Sequence, residues 1–557
     1  MKMNPFQYCF ALILLFTIFS CNADKSTRRP VYPQPAVDAD MSKKEPPADK
    51  NEERVAKETP PEKNEEKIAK ERDEQFSMAV SKGSLKLSIT KATMLALENN
   101  RQFRVEEIAP AIMQTYEETE RAVFDPVISA EGGVGQERDK VYSTTSGFDA
   151  SVGISEFLPT GTWIDLAYET DLERKDPRGD PDEEYRNFVG LTVTQALLRG
   201  MGLEANLASL TQAKLDTKAS EYQLRGLAQS LLAETENTYW DYTLAKEEVR
   251  IFKSSLELAD RLVEETRERI AAGQIAESEI YSAEAEAAIR VQELINARSF
   301  RSTSRLRLLR IVNPPGKDLW DREIDLLTSP VEPTVHFKDM EEHIKLALLM
   351  RPDLNQAKLA VENDELEIVK TKNGLLPKLD LFVRLGRTGY ADSFGGSVED
   401  IGKGDGGIDL YAGLRFEFPI GNRARSALYK RSKLDLLQNM EALRNMSQLV
   451  EQDVLSAAIE VDRSGDQVVA STSTRKYQEK KLQAEIDKYR LGKSTMFRVS
   501  QAQRDLVDSQ ISEVRAHIDH IKSLTLFYLV EGSLLVRRGI LAPGMEPIEL
   551  SLNESRQ

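Results

Sequence analysis

Apolar and polar residues alternate with period two in a few short stretches of this chain and recur at helical spacing through most of the rest. Pro126 opens "PVISAEGGVG" and Pro377 opens "PKLDLFVRLG", each directly after a helical segment, so each marks a switch from helix to strand. A second strand follows in each half, "FVGLTVTQALL" from Phe188 and "YAGLRFEFPI" from Tyr411. Two proline-free stretches, Leu203 to Arg269 and Arg423 to Arg490, then predict helices about 100 Å long at ~1.5 Å per residue. Each breaks at a glycine and is followed by another helix, to about Val312 and about Leu535. Helices this long with polar residues throughout do not make a single globular core. They suit a coiled assembly whose apolar seams meet those of neighbours.

The pattern is one unit written twice. "ITKATMLALENNRQF" from Ile89 returns as "MEEHIKLALLMRPDL" from Met340, a shift of 251 that also relates Pro126 to Pro377. "AGQIAESEIYSAEAEA" from Ala272 returns as "LGKSTMFRVSQAQRDL" from Leu491; Gly273 matches Gly492 and Ala283 matches Ala502, a shift of 219. The shifts differ because the first half carries extra residues between its strands, around "FLPTGTWIDLAYET". Pro159 and Gly161 supply turn chemistry there, so an added hairpin is expected at about 143–174. Four strands are expected in the first half and two in the second.

Composition narrows the function. The 557 residues carry a formal charge of −16, which argues against a nucleic-acid partner. Cys9 and Cys21 are the two cysteines, so the body holds neither disulfides nor cysteine-based zinc sites. The apolar run Phe10 to Phe19 is too short for a stable transmembrane helix and is expected to be the core of a signal peptide, residues 1–20. Ile18-Phe19-Ser20-Cys21 resembles the bacterial lipobox, which implies a Cys21 that is acylated, palmitate included. Asn22 behind it favours outer-membrane delivery on the same resemblance. Residues 21–82 read as a Pro-, Lys- and Glu-rich tether with too few large apolar residues to offset the entropy of ordering it.

The order helix pair, strands, very long helix, glycine tip, helix, repeated once, resembles the TolC family of outer-membrane efflux proteins. The tips, the "ALENN" start and "VTQALLRG" at a strand-to-helix junction carry the resemblance. It implies a mainly α fold with a membrane β-barrel portion: a trimeric α-helical barrel plus β-barrel, with two structural repeats per chain. The family barrel takes four strands from each protomer. The domains expected are a first repeat at 83–313, a linker at 314–336, a second repeat at 337–536 and a tail at 537–557.

The implied partners are two further copies, outer-membrane lipid, a periplasmic adaptor (membrane fusion) protein and an inner-membrane pump of RND or ABC type. Ala272, Gly273, Arg490, Leu491 and Gly492 match the family's adaptor-docking tips. Glu279, Ser282, Arg498 and Gln501 occupy the aperture positions; the charges of Glu279 and Arg498 suggest a mixed constriction held shut by pairing, in place of an all-acidic ring.

Other features carry less. His517 and His520 stand three apart without a third ligand in sight, so no metal site is expected. "GKGDGG" from Gly402 lacks the ending of a phosphate-binding loop and reads as a mobile barrel loop, and "DLERKDPRGDPDEEYR" from Asp171 reads as a surface loop. No nucleophile–base–orienter set is visible, so neither enzyme chemistry nor a cofactor is expected. The reading is an outer-membrane efflux duct. A type I protein-secretion duct and a pore-less periplasmic coiled-coil lipoprotein scaffold are its alternatives.

Overall fold

The computed structural model describes residues 84–138, 143–177, 182–316, 319–330, 339–403 and 406–548. The expected signal peptide, Cys21 and the tether lie outside them.

The first repeat opens with β1 (Leu85–Leu87) and three short helices, α1 (Ile89–Asn99), α2 (Arg101–Glu106) and α3 (Ala109–Arg121). Ser88 caps α1 by accepting from the Lys91 amide, and Asn100 caps α2 by accepting from the amides of Gln102 and Phe103. Four strands follow: β2 (Val127–Arg138), β3 (Ser143–Leu158), β4 (Thr162–Pro177) and β5 (Asp182–Ala196). A single turn of helix, α4 (Leu203–Asn206), leads into α5 (Ala208–Ala271), and α6 (Glu279–Val312) returns.

A strand, β6 (Ile324–Leu326), falls inside the expected linker, and the second repeat continues through α7 (Met340–Met350), α8 (Pro352–Gly374), β7 (Lys378–Ala391), α9 (Phe394–Lys403) and β8 (Gly407–Glu417). The long pair α10 (Arg423–Arg490) and α11 (Met496–Val530) ends it, followed by the short α12 (Leu534–Arg537). The repeat is literal: α7 sits 251 positions after α1 at both ends, and β7 starts 251 positions after β2. β1 and β6 pair in parallel and tie the starts of the two repeats together.

All the long strands join one antiparallel sheet in the order β2-β3-β4-β5-β7-β8. The added hairpin is therefore part of the sheet, with β3 bonded to β2 and β4 bonded to β5. The charged segment from Asp171 is corrected from loop to strand, since β4 runs to Pro177 and β5 starts at Asp182. Opposite charges across the pair account for this: Arg186 faces Asp171 at 3.9 Å and Arg174 faces Glu183 at 3.5 Å. The glycine stretch from Gly402 is also partly corrected. Gly402 and Lys403 close α9, and Gly407 opens β8.

The helices hold together through narrow seams of small residues. Along α10 the buried set Val450, Val454, Ala457, Val461, Ser464, Val468 and Ser471 advances by four and three in turn, a heptad spacing. His520 of α11 is buried against this seam and shares a hydrogen bond of 2.9 Å with the Ser464 hydroxyl. Among the described residues no group of His, Cys, Asp or Glu has the arrangement of a metal site. A wider cluster, with Leu87, Tyr239, Trp240, Leu308 and Ile518, gathers around the β1–β6 pair.

Candidate functional site

Two regions of the chain hold the candidate sites: the glycine tips and the sheet. The tips come first. Gly273 and Gly492 both take left-handed backbone, φ +70° and +69°. Around Gly273 the amides of Ala272, Gly273 and Gln274 donate to the carbonyls of Glu268, Ile270 and Arg269. Around Gly492 the amides of Leu491, Gly492 and Lys493 donate to those of Asp487, Tyr489 and Lys488, with the same offsets. Both are glycine-terminated helix ends in which the last carbonyls are satisfied by the turn itself. Open space surrounds the position of a Cβ at either glycine, so backbone conformation and not crowding requires glycine there.

The two tips pack as one body. Ala283 and Ala502, matched in the repeat, are both buried in one cluster with Leu262, Ile486, Tyr489 and Met496. Arg490 makes two bonds to the Glu265 carboxylate at 3.1 and 3.2 Å, and this pairing holds the guanidinium pKa above its ordinary value. Arg269 donates to the Tyr489 carbonyl at 2.8 Å and lies over its ring. Leu491 remains exposed at the end of the turn.

Of the four aperture candidates, Glu279 is half-buried and Ser282, Arg498 and Gln501 are exposed. Glu279 accepts from the Met496 amide at 3.0 Å. Thr495, the residue in the capping position of α11, makes no side-chain cap, so the carboxylate from the first repeat caps the helix of the second. Sequence reasoning missed this role because the bond spans 217 positions. Within the chain, among the described residues, Glu279 and Arg498 form no ion pair. The positive charge of Arg498 instead helps hold the Glu485 carboxyl below its ordinary pKa, after the larger effects of hydrogen bonds from Lys488 and Ser494. Gln501 bonds to Asp505 along α11 at 2.8 Å.

The sheet is the second region. Its register places Ile128, Val152, Leu166, Leu191, Leu385 and Leu410 on one face, one from each strand. All six are exposed, so an aliphatic belt crosses the sheet, and among the described residues α9 covers the same face only nearer the strand ends, at Asn187 and Gly389. The opposite face carries Glu131, Asp149, Asp165, Glu169, Arg384 and Arg415. One apolar and one charged face on strands of 11 to 16 residues is the patterning of a membrane barrel wall. Among the described residues, its end strands β2 and β8 each have one unpaired edge. No described helix is long and apolar enough to cross a membrane.

Residues 343–524, most of the second repeat, match the family described as outer membrane efflux protein. The second repeat is thus similar to outer membrane efflux proteins. The chain is 23 % identical over 345 residues to the outer membrane efflux protein BepC of Brucella suis, covering 61 % of this chain and 71 % of that one. The solved outer membrane channels CmeC of Campylobacter jejuni and MtrE of Neisseria gonorrhoeae superpose with TM-scores of 0.60 and 0.58. The alignments span 80 % of this chain and 86 % and 89 % of theirs, at 15 % and 17 % identity. At such identities the fold is what is shared. That shared fold is the TolC-like channel fold, a strand sheet carried on long paired helices.

Proposed function

We propose that the chain is the outer-membrane channel of a tripartite efflux system. Three copies form it, and it passively conducts cargo delivered by an inner-membrane pump through a periplasmic adaptor. The observation that carries this reading is the sheet: an exposed aliphatic belt on one face, charged residues on the other and, among the described residues, both edges open. Such a sheet is stable in lipid only after its edges are closed by other chains. A pore-less coiled-coil scaffold has no use for it.

In this reading the paired tips dock the adaptor through Ala272, Gly273, Arg490, Leu491 and Gly492, and the second tip helices form the closing aperture. Glu279 and Arg498 give that aperture mixed charge, with Glu279 also fixing α11 by its cap. Replacing the carboxylate with a cation, Glu279→Arg, removes the cap and puts like charges together, so resting conductance and drug leakage should rise. Extraction in mild detergent should yield a trimer whose electrophoretic migration changes on heating and which conducts ions in planar bilayers. A species that migrates as a monomer without heating and never conducts would rule the channel out.

A further inference from the structure

The added hairpin has no exposed role of its own: it lies in the middle of the first repeat's strands. The outer edge of β3 is paired with β2 from Val127 to Arg138, and that of β4 with β5 from Thr162 to Lys175. Its apolar residues Phe148, Val152, Ile154 and Leu166 stand on the same face as the aliphatic residues of the other strands. A hairpin lying beside the wall would leave β2 and β5 to pair directly, and here it separates them.

Its charged face is fastened to the second repeat as well. Glu169 of β4 and Arg384 of β7 approach to 3.4 Å across the intervening strand β5. Between them Phe188 lies flat, with the Arg384 guanidinium 4.1 Å above its ring. The ring fits only because Gly190 and Gly386 lack side chains: a Cβ would stand 2.1 Å and 2.2 Å from it. Phe188 is consequently almost fully buried in a single chain, on the face that carries the charged residues.

Direction also permits closure. Six strands in an antiparallel meander leave β2 and β8 running opposite ways, so β8 of one copy meets β2 of the next in antiparallel sense. Inserting a two-stranded hairpin preserves that relation, whereas one extra strand would destroy it.

We infer that the hairpin widens the membrane barrel: three copies, each contributing six strands, close an 18-stranded wall in place of the 12 strands expected from four per protomer. The inference rests on the trimeric channel reading. At ~4.8 Å between strands and a tilt of ~40°, backbone diameter rises from about 24 Å to about 36 Å. The hairpin also turns Asp149, Asp165, Glu169 and Asp171 toward the lumen, so the added wall is carboxylate-lined. A bore of that width does not select by size. Size selection falls to the helical tips, while the outlet favours cationic and neutral solutes.

The test is a strand count in the detergent-extracted full-length trimer by electron cryo-microscopy. Eighteen strands, with β3 and β4 in the wall between β2 and β5, is the expected result. A closed 12-stranded barrel with the hairpin folded outside the wall would overturn the widening and leave the channel reading standing. An assembly with no closed barrel would overturn both. Solution readout comes from Arg384→Ala, which removes the hairpin's link to β7 and should loosen trypsin resistance in the hairpin first; unchanged resistance there would remove the proposed fastening.

Discussion

The two repeats of this chain agree at one end and differ at the other. At the tips they share turn geometry to within a degree in φ and the same three hydrogen-bond offsets. In the sheet one repeat supplies β2 to β5 and the other supplies β7 and β8, with a helix between them. The two tips pack against each other in one chain and, in the proposed trimer, would also meet further copies, which holds both versions to one shape. The sheet answers to no such demand. A barrel wall requires only that each addition keep the faces and the strand directions, and a hairpin does both.

The largest break in that comparison is expected from Gly190→Val. Its side chain would overlap the Phe188 ring, and overpacking of this kind costs about 1–3 kcal/mol even where the surroundings can shift. Heat-resistant trimer should be lost, and Phe188→Ala in the same chain should restore part of it. A wild-type trimer yield for Gly190→Val alone would show that the ring is not wedged as described.

The tip glycines should respond next, and equally. Alanine at Gly273 or Gly492 meets no neighbour but must adopt left-handed backbone, costing about 1–2 kcal/mol each. Amide exchange in the last turn of α5 or α10 should quicken by a similar factor for the two variants, and asparagine at either position should be milder. A response at one tip and none at the other would deny their equivalence.

Glu279→Ala should cost about 1 kcal/mol through loss of the α11 cap. Ser282→Ala, on an exposed face one turn along, serves as the silent control. Exchange of the first α11 amides reads both. The exposed Arg490–Glu265 pair is worth less, under about 1 kcal/mol, so Arg490→Ala should weaken adaptor binding, measured by pull-down, more than it weakens folding.

The smallest effect is that of pH. Glu485 and Asp505 are both held below their ordinary carboxyl values, chiefly by hydrogen bonds from Lys488 and Lys481. Their contribution is complete above the ordinary range near pH 4 and is lost only as pH falls through the lower folded values. Tip exchange should therefore be flat from neutrality to about pH 5 and accelerate below about pH 4.

Much of this architecture was legible in the chain. Unbroken helical sequence without proline announced α5 and α10, and Pro126 and Pro377 each stand one residue before a strand. Repetition of Gly273 as Gly492 located both tips. Other parts were hidden for physical reasons. Gly395 and Gly396 lower helix propensity in α9, whose Ser397 is nevertheless buried in a bond with Asn187 of β5. The charges at Asp171 to Arg186 looked like a loop because cross-strand neutralisation is invisible along a sequence. The Glu279 cap and the Phe188 wedge both join residues some 200 positions apart or depend on glycines in another repeat, and no local pattern encodes them.

The central claim is that neighbouring chains complete the wall by joining β8 of one to β2 of the next. Because Cys9 and Cys21 are the native cysteines, the body is free of thiols and can be tested directly. Ala130→Cys on β2 should be combined in turn with Leu410→Cys, Ala412→Cys and Leu414→Cys on β8, all on the apolar face, and oxidised in the membrane. One of these registers should give a covalent trimer. Crosslinks confined within single chains, or none in any register, would contradict the account.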